Sequence, residues 1–110
     1  MPRNAKCRKV CAEFQHKVFS PENCKKEYVI MNVDELEALR LCDYENMDQL
    51  DAANKMGVSR GTFQRILYSA RQKSAEALCY GKGICIEGGN YEIEPECNCN
   101  FPCKRCMRST

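Results

Sequence analysis

No apolar run in the 110-residue sequence comes near the roughly 20 residues that cross a bilayer, which excludes a membrane-spanning helix. Histidine occurs once, at His16, and neither a glycine-rich phosphate loop nor a nucleophile–base spacing accompanies it. Nothing therefore converges on a reaction, and an enzyme is not expected. The opening Met1-Pro2-Arg3-Asn4-Ala5-Lys6 has no apolar core of the kind a secretion signal needs, so the expected location is cytoplasmic. In that reducing setting the ten cysteines read as thiols and metal ligands, where in a secreted chain they would suggest a disulfide scaffold. Internal repeats and low-complexity segments are also missing.

Net charge is only +2, but charges of one sign are grouped. Residues 1–26 hold seven basic and two acidic groups; residues 27–58 hold eight carboxylates against Arg40 and Lys55. From 59 to 81 the balance turns basic through Arg60, Arg65, Arg71 and Lys73 against Glu76. An uneven surface is expected from this grouping, the plain alternative being ordinary solvated faces.

The length suits one domain and a short appendage, placed at residues 1–95 and 96–110. Residues 1–26 read as a basic arm or loop with room for one short strand, and Glu27-Tyr28-Val29-Ile30-Met31 as a strand. Asn32, three residues before Glu35, marks a helix start; Leu36, Leu39 and Cys42 then recur on one helical face. Asp48 caps a second helix with Leu50, Ala53 and Met56 inward, and Gly57 supplies the left-handed residue that ends it. Ser59 opens a third helix whose stripe Phe63, Ile66, Leu67, Ala70, Ser74, Ala77 and Leu78 runs to about Cys79, where Gly81 and Gly83 stop it. Ile84-Cys85-Ile86 and Tyr91-Glu92-Ile93, separated by Glu87-Gly88-Gly89-Asn90, have the composition of a hairpin. The expected fold is mainly α: a three-helix helix-turn-helix domain, a short β-hairpin after the third helix, and a small C-terminal cysteine knuckle.

The joint between the second and third helices carries the functional expectation. Ala53 is small where two helices must cross, Gly57 permits the turn, Val58 plugs the angle, and Phe63 and Ile66 anchor the third helix. The core stripe leaves Arg60, Gln64, Arg65, Tyr68 and Arg71 outward, with Ser59 and Thr62 at the helix start. Arginine reads guanine and glutamine reads adenine by paired hydrogen bonds, while small hydroxyls and first-turn amides suit phosphate. The expected partner is double-stranded DNA, read in the major groove by a transcription regulator, as a homodimer because one such helix makes few contacts. The plain alternative is a helical hairpin with a solvated outer face.

Cys97, Cys99, Cys103 and Cys106 place four thiols within ten residues, in a segment too short and polar to fold on apolar burial. Zinc is the expected ion, with iron or an iron–sulfur cluster as the alternative for the same ligands. Cys7, Cys11, His16 and Cys24 make a looser second quartet, against which stand small buried thiols. A competing function is therefore a metal- or redox-sensing, iron-handling protein.

One family unites these segments: Met1-Pro2-Arg3 with Lys6-Cys7-Arg8-Lys9-Val10-Cys11; Val33-Asp34-Glu35-Leu36-Glu37-Ala38-Leu39-Arg40-Leu41; Met56 to Leu67; and Ile86-Glu87-Gly88-Gly89-Asn90-Tyr91. The sequence resembles the uncharacterised predicted DNA-binding proteins catalogued as domain of unknown function 134 (UPF0251), over residues 1 to about 93. The resemblance implies a helix-turn-helix similar to the DNA-binding region of bacterial sigma factors, and hence transcriptional regulation.

Overall fold

The computed structural model describes residues 7–22 and 27–93. In chain order these form strands β1 (Arg8–Val10), β2 (Val18–Phe19) and β3 (Tyr28–Met31), then helix α1 (Val33–Leu39), which continues into a π-helical turn (Arg40–Tyr44). Helices α2 (Gln49–Met56) and α3 (Arg60–Tyr80) follow, then strands β4 (Gly83–Ile86) and β5 (Tyr91–Ile93).

The expectation of a mainly α domain closed by a hairpin is corrected. β4 and β5 do not pair with each other. β4 is the centre of a three-stranded sheet, antiparallel to β2 and parallel to β3, while β5 runs parallel to β1 in a second, two-stranded sheet. Among the described residues the fold is thus three helices and five strands in two sheets. The reason lies in the intervening loop, where Gly88 and Gly89 take φ of 78° and 101° and carry the chain across the start of α1. There the Val33 N–H donates to the Gly88 carbonyl at 3.0 Å, and the Arg8 N–H donates to the Asn90 carbonyl at 3.0 Å. Glycine-rich composition signalled a turn correctly, but distant strands supplied better partners than the neighbouring one. The expected C-terminal cysteine knuckle falls on residues outside those described.

Burial follows from these pairings. β3 alternates, with Val29 and Met31 inward and Tyr28 and Ile30 outward. Val10, Met31, Val33 and Ile86 make one apolar cluster between the strands and α1. A larger cluster joins the helices: Ala38, Leu41, Met47, Ala52, Ala53, Met56, Phe63, Ile66 and Leu67. Gly83 is required where it stands, because a Cβ there would lie 2.4 Å from the Tyr28 ring and 2.8 Å from the Phe19 carbonyl oxygen.

Five apolar positions are less buried than the periodicity predicts. Leu50 is 56 % exposed because α2 is turned by its buried Ala52 and Ala53, and Leu78 is 83 % exposed although its neighbour Ala77 is buried. In α1 and the π-helical turn the buried apolar residues are Val33, Ala38 and Leu41, with Leu36, Leu39 and Cys42 only half-buried. The π-helical turn closes with the Glu45 N–H donating to the Arg40 carbonyl at 2.9 Å, five residues back. Such a turn inserts an extra residue and shifts the apolar phase that a 3.6-residue period extrapolates.

Candidate nucleic-acid interface

Local chemistry sets the α2–α3 joint. The Asp51 N–H donates to Asp48 Oδ1 at 2.8 Å, capping α2, and Gly57 ends it in the left-handed region at φ 73°. The Val58 N–H then donates to the Ala53 carbonyl at 3.0 Å, and the Val58 side chain packs half-buried against the helical core. Ser59 starts α3: its Oγ accepts from the Thr62 N–H at 3.2 Å. Within a few residues the chain has turned from one helix to the next, the Gly57, Val58 and Thr62 amides each finding an acceptor on the way.

α3 divides into two faces. Phe63, Ile66, Leu67, Ala70 and Ala77 are buried, whereas Ser59, Arg60, Arg65, Tyr68 and Arg71 are exposed and Thr62 and Gln64 half-buried. All seven residues predicted to meet DNA thus fall outside the buried face. Three of them form a hydrogen-bonded cluster at the helix start: Ser59 Oγ lies 3.1 Å from Thr62 Oγ1, which also accepts from an Arg65 terminal nitrogen at 3.3 Å. Arg71 differs from Arg65. Its Nε and a terminal nitrogen donate to the two carboxylate oxygens of Asp43, at 3.1 and 2.8 Å, and its guanidinium lies 6.0 Å from the Tyr68 ring centre. The hydrogen bonds it donates to the Asp43 carboxylate hold that guanidinium above even its usual pKa.

Sequence reasoning missed two neighbours of this face. The Lys9 alkyl chain lies beside the helix joint, 3.8 Å from where a Gly57 Cβ would stand, so β1 brings a basic residue of the N-terminal arm to the turn. Asp43 was counted only as one of an acidic run. Neither pairing has a signal in spacing, since both join residues far apart in the chain.

The acidic run itself turns inward. Asp34, Glu35 and Glu37 are buried, and each is held by a cation from elsewhere in the chain or from the next turn. Glu35 links α1 to α3: its carboxylate accepts from Lys73 Nζ at 2.7 Å and from the Ser69 hydroxyl, and the Asn32 N–H donates to it at 2.9 Å. Lys73, counted above as part of a basic surface, is therefore committed to α1.

Burial raises the pKa of Glu35, but the hydrogen bonds from Lys73, Ser69 and Asn32 outweigh it and bring the carboxyl below its ordinary range. A folded pKa below the unfolded one gives stability that is complete above the unfolded value and lost as pH falls through the folded one. Asp34 runs the other way, since burial raises it despite Arg8; its contribution is present below the unfolded pKa and lost as pH rises through the folded value. The stability gap between wild type and Glu35→Gln, from urea unfolding, is accordingly expected to narrow between pH 7 and about pH 4 and below. A gap independent of pH would show that Glu35 acts through its shape and not its charge.

Among the described residues no group of three or more His, Cys, Asp and Glu side chains is arranged to hold a metal ion. Cys97, Cys99, Cys103 and Cys106 lie outside the described residues, as does Cys24 of the looser quartet. Of the rest of that quartet, the Cys7 thiol donates to Asn90 Oδ1 at 3.3 Å, and the Cys11 sulfur accepts from Arg40 at 3.3 Å in a buried setting. No helix among the described residues is long and apolar enough to cross a membrane.

Fold and surface together define a small α/β protein whose three helices pack on two short sheets and whose third helix offers a polar, partly cationic face. The chain belongs to the family described as "Protein of unknown function DUF134", whose pattern matches residues 1–94. It is similar to a UPF0251 protein of Ruminiclostridium cellulolyticum, 47 % identical over 105 residues, covering 96 % of this chain and 80 % of that protein. A UPF0251 protein of Caldicellulosiruptor bescii is 47 % identical over 106 residues, covering 96 % of this chain and 74 % of the relative. One from Methanosarcina acetivorans is 49 % identical over 83 residues, which are 76 % of this chain and 49 % of that longer protein. No solved structure matches the chain.

Proposed function

We propose that this protein is a sequence-specific DNA-binding transcription regulator of the cytoplasm, with α2, the Gly57 turn and α3 acting as a helix-turn-helix. One observation carries the reading: α3 begins at a capped, exposed N-terminus and keeps Arg60, Gln64, Arg65 and Tyr68 off its buried face. A helix start of this kind favours phosphate through its amides, and the arginine and glutamine side chains that follow suit base edges in a major groove. Ser59 and Thr62 serve phosphate, Arg60, Gln64 and Arg65 read bases, and Lys9 adds charge beside the joint. Arg71 is secondary because Asp43 already holds it. Two copies on a two-fold-symmetric site supply the contacts that one short helix lacks.

Selection of bound duplexes from a random pool, using metal-replete full-length protein, is expected to enrich one motif with two related half-sites. Failure to enrich any motif across a range of salt concentrations would sink the regulator reading.

The four C-terminal thiols, by their number and spacing, support a structural zinc in the same protein. Elemental analysis is expected to find about one zinc per chain, lost when Cys103 and Cys106 are both changed to Ser. Iron in place of zinc, with visible colour and air sensitivity, would favour the redox-sensing alternative.

A further inference from the structure

Beside the π-helical turn lies a cavity of about 760 Å³, within the range of small-molecule sites. Its wall includes Phe14, Phe19, Tyr44 and Leu36, together with the carboxylates Glu13 and Asp43. Arg40 and His16 also line it, but the Arg40 guanidinium is engaged by Glu37 and Glu45 at 2.9 and 3.1 Å. The lining itself sets two carboxylates against one guanidinium, and adding the ion-pair partners Glu37, Glu45 and Arg71 beyond the lining gives four carboxylates to two guanidiniums. Aromatic faces with an excess of negative charge attract a cation that carries an apolar body, whereas an anion would meet repulsion and find the nearby guanidinium already paired.

We propose that this cavity is a binding site for a small aromatic amine in its cationic form, with the ring among Phe14, Phe19 and Tyr44 and the ammonium toward Glu13 and Asp43. Phe19 is half exposed, so the site is open to solvent for entry. Asp43 gives the site a route to α3. The same carboxylate that would meet the ammonium accepts both hydrogen bonds from Arg71, so a bound cation competes with the guanidinium and loosens it from the π-helical turn. A filled site thereby sets whether Arg71 is available on the outer face of α3.

The test uses full-length, metal-replete protein without DNA, so it stands or falls separately from the regulator reading. Titration with 1-naphthylmethylamine, followed by calorimetry and by NMR, is expected to show saturable binding at concentrations below about 1 mM. 1-Naphthylacetate, with the same ring and the opposite charge, is expected to bind at least about tenfold more weakly. Phe19→Ala and Glu13→Gln, both at exposed positions and checked for native circular dichroism, are each expected to weaken the amine several-fold or more. On saturation the Arg71 side-chain Nε–H resonance is expected to shift. Absence of saturable binding would mean that the cavity is closed or occupied by the chain's own residues, and would overturn the site. Equal or better binding of the acetate would overturn the ligand class, and an unmoved Arg71 resonance with the amine bound would overturn the link to α3.

Discussion

Glu37→Ala is expected to destabilise the protein by about 3–5 kcal/mol, read as a fall in the urea midpoint without change in m-value. Glu37 is fully buried, and its carboxylate accepts from Arg40 Nε and a terminal nitrogen, both at 2.9 Å, and from the Cys11 N–H at 3.2 Å. Removing it takes one carboxylate from a guanidinium whose side chain is 7 % exposed and which Glu45 also holds, and leaves the Cys11 amide without this acceptor. The size of the effect comes from that uncompensated desolvation, not from the net strength of the pair. Replacing both partners, Glu37→Leu with Arg40→Met, is therefore expected to recover much of the loss. A single-variant cost under about 1 kcal/mol would mean that water reaches the network.

Arg65→Ala is expected to weaken binding to the selected operator by about 1–3 kcal/mol and to relax preference at one base-pair position. Arg65 is exposed near the start of α3, and its hydrogen bond to the small Thr62 hydroxyl is 3.3 Å long, so the guanidinium is easily redirected to a base edge. Arg71→Ala is expected to cost less, because in the free protein its two bonds to Asp43 compete with any contact to DNA. Competition binding against single-base operator variants separates the two. Unchanged affinity and preference in Arg65→Ala would remove that residue from the reading set.

How legible this was depends on the range of each interaction. Asp48, Gly57, Ser59 and Gly81 act within a few residues of themselves, through caps and left-handed turns, so the limits of α2 and α3 are written locally. The exposed face of α3 is nearly as legible, because one helical period sorts Phe63, Ile66, Leu67 and Ala70 from Arg60, Arg65, Tyr68 and Arg71. Leu78 shows the limit of the method. It stands on the periodic stripe beside Ala77, yet Ala77 is buried and Leu78 is 83 % exposed, a difference that the period alone cannot reveal.

By itself, then, the sequence determined where the chain turns, where two of its helices begin and end, and which chemistry the third one carries outward. Tertiary structure decided the rest. It paired β4 with β2 and β3 and not with β5, folded the acidic run against Arg8, Arg40 and Lys73, and tied Arg71 to a π-helical turn that also walls a cavity. The physical reason is the same in each case. A cap or a turn is satisfied by atoms a few residues away, whereas strand partners and counter-ions are chosen by whichever distant group burial brings within reach.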